Sequence, residues 1–402
     1  MAITASIAAY WSKRMQVIHH IKDVYRAIAS FEERETMKYG DTLHKPYRTK
    51  LVAQAYTRGS DVTLSTLTST DETLSVNISR TVSFYIDSLD EIQHSYKVLN
   101  EYADDGARLM GNLIDGDVLK EYDNATNKVD DADVNQLTSG DPFTLNVGNI
   151  DKMFGIAMRK LDQENIAQDM RFFVLSPQAR AVLIERLAGK DSKLGDDVGQ
   201  NGFIGRYFGF DLYLSNNLAG AARFNFNSTP SNNDTITIAA GNSSGVATAI
   251  TFTFVTSIGS TAGNVLVNGQ SGSATNLAGL INAPGTTDAN GVAFTGNNLN
   301  DIQTRWEASA SGNACVVEVH GGSYLTVTSS NAANTWDRKI QHCLAGRKGA
   351  TEVVTQLSPK VDIVRDPDRM GHNVHIPALY GIRTFVEGDK MLVDVRLNSN
   401  NY

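Results

Sequence analysis

Apolar and polar residues alternate through AYTRGSDVTLSTLTSTDETLSVNISRTVSFYIDSLDEIQ, residues 55–93. Val62 and Leu64 mark a first run, and Leu74, Val76, Ile78, Val82, Phe84 and Ile86 a second, with STDE between them. A period of two is the signature of a strand, so the pattern predicts a long β-hairpin turning at STDE. The run ends in DSLDE, where Ser88 and Glu91 have the spacing of a capping box and predict an immediate helix. Leu89, Ile92, Tyr96, Leu99, Ala103, Met110 and Leu113 then keep a three-four rhythm, interrupted by Gly106 and Gly111. Upstream, Met15, Ile18, Ile21, Val24, Tyr25 and Ile28 predict an amphipathic helix within residues 12–36, followed by an extended basic link through Pro46.

Downstream, the polar stretch 127–141 reads as a surface loop. A helix follows whose Ile150, Met153, Phe154, Ala157 and Leu161 share one face. RFFVLSPQARAVL condenses three signals: a buried strand from Arg171 to Leu175, Ser176 as N-cap, and Pro177 at the first helical position, where a missing N–H costs nothing. The pattern changes near Ala222. Residues 222–336 contain no lysine and are dominated by Gly, Ser, Thr, Ala and Asn. TITIA, AITFTFVT, NVLVN, ACVVEV and SYLTVT read as strands and SATNLAGLIN as a helix, which predicts a β-rich insertion rather than a disordered linker. From Asp337 the earlier style returns, with DRKIQHCLAGRKGATEVVTQL expected as helix or helix and turn, then strands in KVDIVRD, YGIRTFV and MLVDVRL. Those strands need partners from before the insertion.

The 402 residues, 41% hydrophobic and 20% charged, suffice for two or three folded units. No segment has the roughly 18–20 consecutive apolar residues that span a bilayer, and the opening MAITASIAAYWSKRM is not patterned as a secretory signal. The expectation is a protein that stays where it is made, with no membrane contact. Cys315 and Cys343 fit free buried thiols of a reducing compartment. A formal charge of −8 opposes a protein that coats nucleic acid by neutralising phosphates. Nine Lys or Arg against five Asp or Glu between Tyr10 and Lys50 make a modestly basic arm, read first as a solvated helical face.

Chemical motifs are sparse. GNSSG, residues 241–245, matches G-x-S-x-G with Ser243 as nucleophile, and His320 with the following Gly-Gly-Ser is similar to a lipase oxyanion loop. A nucleophile elbow needs a strand running into a helix, whereas this stretch joins two predicted strands. His372 and His375 lack a third ligand at useful spacing, and residues three apart on a strand face opposite ways. His19 and His20 read as solvent or interface residues. Asp104 and Asp105, like Asp196 and Asp197, read as exposed acids. Phosphate-loop, dinucleotide and zinc-protease signatures are absent. No catalytic, cofactor-binding or metal-ligating residue is expected.

The order of these elements resembles the major capsid proteins of tailed bacteriophages, with an α+β fold of the Hong Kong 97 type. The residues that carry the resemblance are the entry FYIDSLDEIQ into a long helix, FVLSPQARAVL, GFIGRYFGFDLYLSNNL and the closing YGIRTFVEGDKMLVDVRL; only residues 222–336 stand outside it. The resemblance implies an N-terminal arm (1–50), an E-loop hairpin (51–87), a P-domain with its spine helix (88–145), a first part of the A-domain (146–221), a β-rich insertion domain (222–336), and a second part of the A-domain with closing P-domain strands (337–402).

It further implies a non-enzymatic protein that self-assembles through pentamers and hexamers into an icosahedral shell around double-stranded DNA. Such a shell forms in the host bacterial cytoplasm, with a scaffolding protein, a portal and in some cases a cement protein as partners, and with only weak DNA contact. The arm and the hairpin are expected to reorient as the shell matures, while the spine helix and A-domain core move as rigid bodies. A hairpin protruding from its own domain has no core of its own for Val82, Phe84 and Ile86, so a sister subunit is expected to cover them. Arg58, Asp61, Asp71, Glu72 and Arg80 are the candidate intersubunit charges. No sequence identifies a covalent Lys–Asn cross-link; Lys50 and Lys97 have no local support. An encapsulin shell around an enzyme cargo is the alternative on the same fold, and a secreted β-rich adhesin or hydrolase built on residues 222–336 is a third reading.

Overall fold

The computed structural model describes residues 23–31, 42–48, 50–59, 61, 64, 66–88, 98–137, 139–188, 205–240, 248–320, 325–367 and 369–398. Residues 25–28 form one helical turn, α1 (Tyr25–Ile28), ended by Ala29 at ψ 161°, after which Ser30 bridges Glu352. The helix expected to continue to residue 36 thus stops early in its described part. Met15, Ile18, Ile21, His19 and His20 lie outside the described residues.

β1 (Thr42–Arg48) and β2 (Ser69–Ser75) pair antiparallel as a two-stranded ribbon. β3 (Ile78–Asp87) and α2 (Val98–Leu119) follow, then a 3-10 turn at Lys120–Asn124. The 22 residues of α2 span about 33 Å at 1.5 Å per residue. The region expected as a surface loop instead contains β4 (Asn127–Val129) and α3 (Asp131–Val134), with Val129, Asp130 and Val134 buried. Tertiary pairing decides this: β4 lies parallel to the last strand, and the Asp130 side chain caps α3 by accepting from Asp133 N–H at 3.2 Å.

α4 (Ile150–Gln163) buries Ile150, Met153, Phe154, Ala157 and Leu161 completely, as its periodicity predicts. β5 (Arg171–Leu175) is buried at every position, and Ser176 Oγ accepts Ala179 N–H to start α5 (Pro177–Ala188). β6 (Arg206–Tyr207), β7 (Phe210–Leu214) and β8 (Gly220–Asn225) complete this part.

Between β8 and β15 (Thr335–Arg347) come β9 (Thr235–Ala240), β10 (Thr248–Val255), β11 (Asn264–Leu266), α6 (Gly269–Asn282), α7 (Gly296–Arg305), β12 (Trp306–Ser311), β13 (Ala314–Val319) and β14 (Leu325–Ser329). Their apolar side chains, with those of Ala222 and Phe224, form a core drawn wholly from residues 222–336. The backbone is less separable. β8 and β15 pair antiparallel, and positions 222 and 336 fall inside them. A nine-stranded sheet runs β12-β13-β8-β15-β5-β7-β6, with a final strand against β15 and β4.

Residues 337–357, expected as helix or helix and turn, form most of β15 and then β16 (Thr351–Leu357) after a tight turn. Gln341, His342, Cys343, Leu344 and Ala345 are buried consecutively, and such a run cannot be assigned to helix or strand by periodicity alone. β17 (Asp362–Arg365), β18 (Gly371–Thr384), the turn α8 (Val386–Asp389) and β19 (Leu392–Asn398) close the chain. β15 takes β5 and β19 as neighbours, so strands after the insertion do pair with one before it. Cys315 and Cys343 are buried free thiols, and burial pushes each up to about 12.

Candidate assembly surface

Among the described residues the β1–β2 ribbon is a separate two-stranded sheet with an exposed connecting segment, and its position differs from the expected hairpin. STDE is strand rather than turn: Asp71 and Glu72 lie opposite Pro46 and Lys45 in β2 and β1. Pro46 is tolerated because a two-stranded ribbon has an outward edge with no ladder bond to lose. The alternation after Asn77 belongs to β3, which pairs over ten residues with β18 of its own chain.

Ile86 is accordingly covered within the chain and Val82 and Phe84 are half-covered, which corrects the premise that they have no core of their own. Ile86 is buried, Phe84 meets Tyr102 at 6.0 Å, and Val82 packs against the main core. Gly106 on α2 lets the helix approach this face: a Cβ there would lie 2.7 Å from Ile376 Cδ1 and 3.4 Å from Val82 Cγ1. Period-two patterning reveals a strand but not its partner, here some 290 residues away in sequence. Of the charged candidates, Arg80 donates to Asp117 Oδ1 at 2.9 Å, Asp71 pairs with His44 at 2.5 Å, and Glu72 accepts Val386 N–H at 3.2 Å. Arg58 and Asp61 lie exposed in the segment joining β1 to β2. Val62 is outside the described residues, as is Glu91 of the expected capping box.

The ribbon is fixed at its root. Leu74, fully buried, joins Val76, Val354 and Phe385 in a small separate core. Lys45 pairs with Glu352 and lies 4.9 Å from the centre of the Phe385 ring; Tyr47 donates to Glu387 at 2.7 Å; Arg383 donates to Thr73 O at 2.6 Å. At Gly381 a Cβ would sit 2.4 Å from Ser75 O, so the absence of a side chain allows this contact. Beyond the root, large apolar side chains among the described residues are exposed. Leu51 and Val52 are 73% exposed, Tyr56 65%, Leu64 86% and Leu67 79%. Of these, the sequence alternation singled out only Leu64; no periodicity links the other four to it.

α1 is held by a buried acid in α2. Asp115 Oδ1 accepts the N–H groups of Val24 (2.8 Å) and Tyr25 (2.7 Å), and Oδ2 accepts Asn217 Nδ2 at 2.7 Å and Ser215 Oγ at 3.3 Å. Burial pushes the Asp115 carboxyl up to about 6, opposed by those hydrogen bonds.

The residues weighed as chemistry are described only in part. Ser243 and residues 321–323 lie outside the described residues, and His320 is buried. His372 and His375 sit on β18, with His375 Nδ1 2.9 Å from Ser83 Oγ. Among the described residues no group of three His, Cys, Asp or Glu is placed to hold a metal ion, and no helix is long and apolar enough to cross a membrane.

No family model and no curated protein matches the chain in sequence. Solved phage structures match it in fold. A chain of Mycobacterium phage Che8 is 13% identical with a TM-score of 0.59, covering 98% of both chains. The capsid structure of Cyanophage P-SCSP1u is 9% identical with a TM-score of 0.55, covering 98% of this chain and 94% of that one. The head structure of Helicobacter pylori bacteriophage KHP40 is 10% identical with a TM-score of 0.54, covering 99% and 97%. At these identities the likeness is one of fold, and it spans the insertion as well as the rest of the chain. The chain has the α+β fold of phage capsid structures.

Proposed function

We propose that the chain is the major capsid protein of a tailed bacteriophage, a structural protein whose copies assemble into an icosahedral shell around double-stranded DNA. The observation that carries this reading is a capsid fold over the full chain from which a ribbon projects, anchored at its root and apolar at its exposed end. Each of Leu51, Val52, Tyr56, Leu64 and Leu67 would gain about 1.5–3 kcal/mol on full burial, so a surface supplied by another copy would stabilise the lattice substantially. In this reading residues 1–50 are the arm, α2 is the spine, and residues 222–336 are an inserted module. Exposed Arg58 and Asp61 set register beside the apolar contacts, while Asp71, Glu72 and Arg80 act first inside their own subunit. Assembly takes place in the host bacterial cytoplasm, with scaffolding and portal proteins as partners, and the negative net charge suits a wall that confines DNA without gripping it.

The test replaces residues 50–67 with a short Gly/Ser turn, which the facing Arg48–Ser69 pair can accommodate. Wild-type protein is expected to form closed particles by negative-stain electron microscopy, and the shortened variant to remain folded and unassembled. Intact shells from the variant overturn the role of the ribbon; a wild-type chain that stays monomeric at high concentration overturns the capsid reading. Particles produced in cells and containing an enzyme cargo instead of DNA favour an encapsulin.

A further inference from the structure

A cleft of about 320 Å³ lies where the insertion meets α2 and β3. Its walls include Arg80, Lys120, Trp306 and His320, with Ile78 and Ile382 as apolar surface. Two features distinguish it from an ordinary crevice. His320 is 4% exposed and neither ring nitrogen has a hydrogen-bond partner; Arg80 Nη1 is likewise buried and unpartnered, although Nη2 of the same guanidinium is bonded to Asp117. Buried polar atoms in native proteins are almost always satisfied, by protein, water or a bound ion. All three belong to residues that line this one cleft, and that concentration makes it the candidate site for a polar ligand.

The acids around the cleft are already engaged. Asp117 accepts from Arg80 and from Tyr380 at 2.5 Å; Glu121 Oε2 accepts from Thr384 Oγ1 at 2.6 Å; Glu307 pairs with Lys120; Asp301 accepts from Arg305 and from Trp306 Nε1 at 3.1 Å. Lys120 uses one proton on Glu307 and keeps others. Around His320 the field is positive: burial first, then the charges of Lys120, His342 and Arg305, push its imidazolium down to about 3. A neutral ring there offers one donor and one acceptor, beside the charged donors of Arg80 and Lys120.

We infer that this cleft binds a small oxyanion, a phosphate or carboxylate group, between Arg80, Lys120 and His320. Hydrogen phosphate matches the set most fully, since its oxygens accept from the two cations and its hydroxyl can meet the acceptor nitrogen of His320. The bound anion would join β3 and α2 on one side to the insertion on the other, independently of any shell.

The test is calorimetric titration of the full-length protein with inorganic phosphate and, separately, acetate, in a non-coordinating buffer at pH 7. Saturable phosphate binding is expected, weakened about tenfold in Lys120→Gln through loss of one charge-assisted contact. His320→Phe, which keeps the ring volume, should weaken it comparably, and Lys152→Gln, at an exposed site on α4, should leave it unchanged. Circular dichroism establishes that each variant is folded. Stronger binding of acetate assigns the cleft to carboxylates and supports the same site. Absence of saturable binding of either anion overturns the inference, as does binding that neither Lys120→Gln nor His320→Phe alters.

Discussion

Asp115 and Tyr25 are joined by a 2.7 Å hydrogen bond from backbone N–H to buried carboxylate, across 90 positions of sequence. Through it α2, near its C-terminal end, determines where the described part of the N-terminal region lies. Asp115→Ala strands the N–H groups of Val24 and Tyr25 and the Asn217 amide. The expected loss is about 2–4 kcal/mol of stability by urea denaturation, the cost of leaving several buried donors unpaired. The pH dependence has a definite sign. The folded carboxyl holds its proton up to about pH 6 and the unfolded one to about 3.8, so its contribution is complete below 3.8 and lost as pH rises through 6. The stability of wild type relative to Asp115→Asn should therefore fall between pH 4 and pH 7, and a difference that is flat or rises across that window contradicts the assignment.

Arg80 and Asp117 form a largely buried pair, 16% and 15% exposed at the side chain, with Tyr380 as a third member. Arg80→Met should cost about 2–4 kcal/mol because it leaves Asp117 buried beside one donor instead of two. Combining it with Asp117→Leu should recover part of that loss. Additive losses in the double-mutant cycle would show the pair is uncoupled.

The sheet edge at β12 is closed by a side chain. Asn282 Nδ2 donates to Ala308 O at 2.7 Å, and its Oδ1 accepts Ala308 N–H at 2.9 Å, so one amide takes the place of a peptide unit on the next strand. Exposed edges recruit strands from other molecules. Asn282→Leu is expected to lower stability by about 1–2 kcal/mol and to raise disordered self-association, read by light scattering below the assembly concentration.

Gly381→Ala should press a methyl group against Ser75 O and displace the ribbon root. A cost of about 1–3 kcal/mol is typical when an extra carbon is forced into a packed site. The Tm should fall, and limited proteolysis should cut between β1 and β2 sooner. An unchanged Tm would mean the root is loosely seated.

What the chain made legible is the set of elements whose signal is local. The α4 stripe, the Ser176–Pro177 start of α5 and the strands at 235–239, 249–256 and 314–319 are all present. What failed depended on distant partners. β15 was hidden because a strand flanked on both edges within a core shows neither helical nor alternating burial, and STDE mimicked a turn although its ladder partner is the Pro46 segment. α7 was missed because it opens on GNNLN and β12 because WEASAS carries little β-branched signal; weak propensities in both are overridden by packing against α6. The apolar tip residues were visible individually, but only their exposure in three dimensions distinguishes them from core.

The way the inserted module is attached has a mechanical meaning. It leaves through β8 and returns through β15 as neighbours in one ladder, and Tyr122, stacked on His342 at 3.9 Å, fastens it again by donating to Glu318 at 3.0 Å. There is no slack tether at this joint to absorb a pull. A load on the inserted module passes directly into the strand that also carries β5 and β19, so tugging on one part strains the whole sheet.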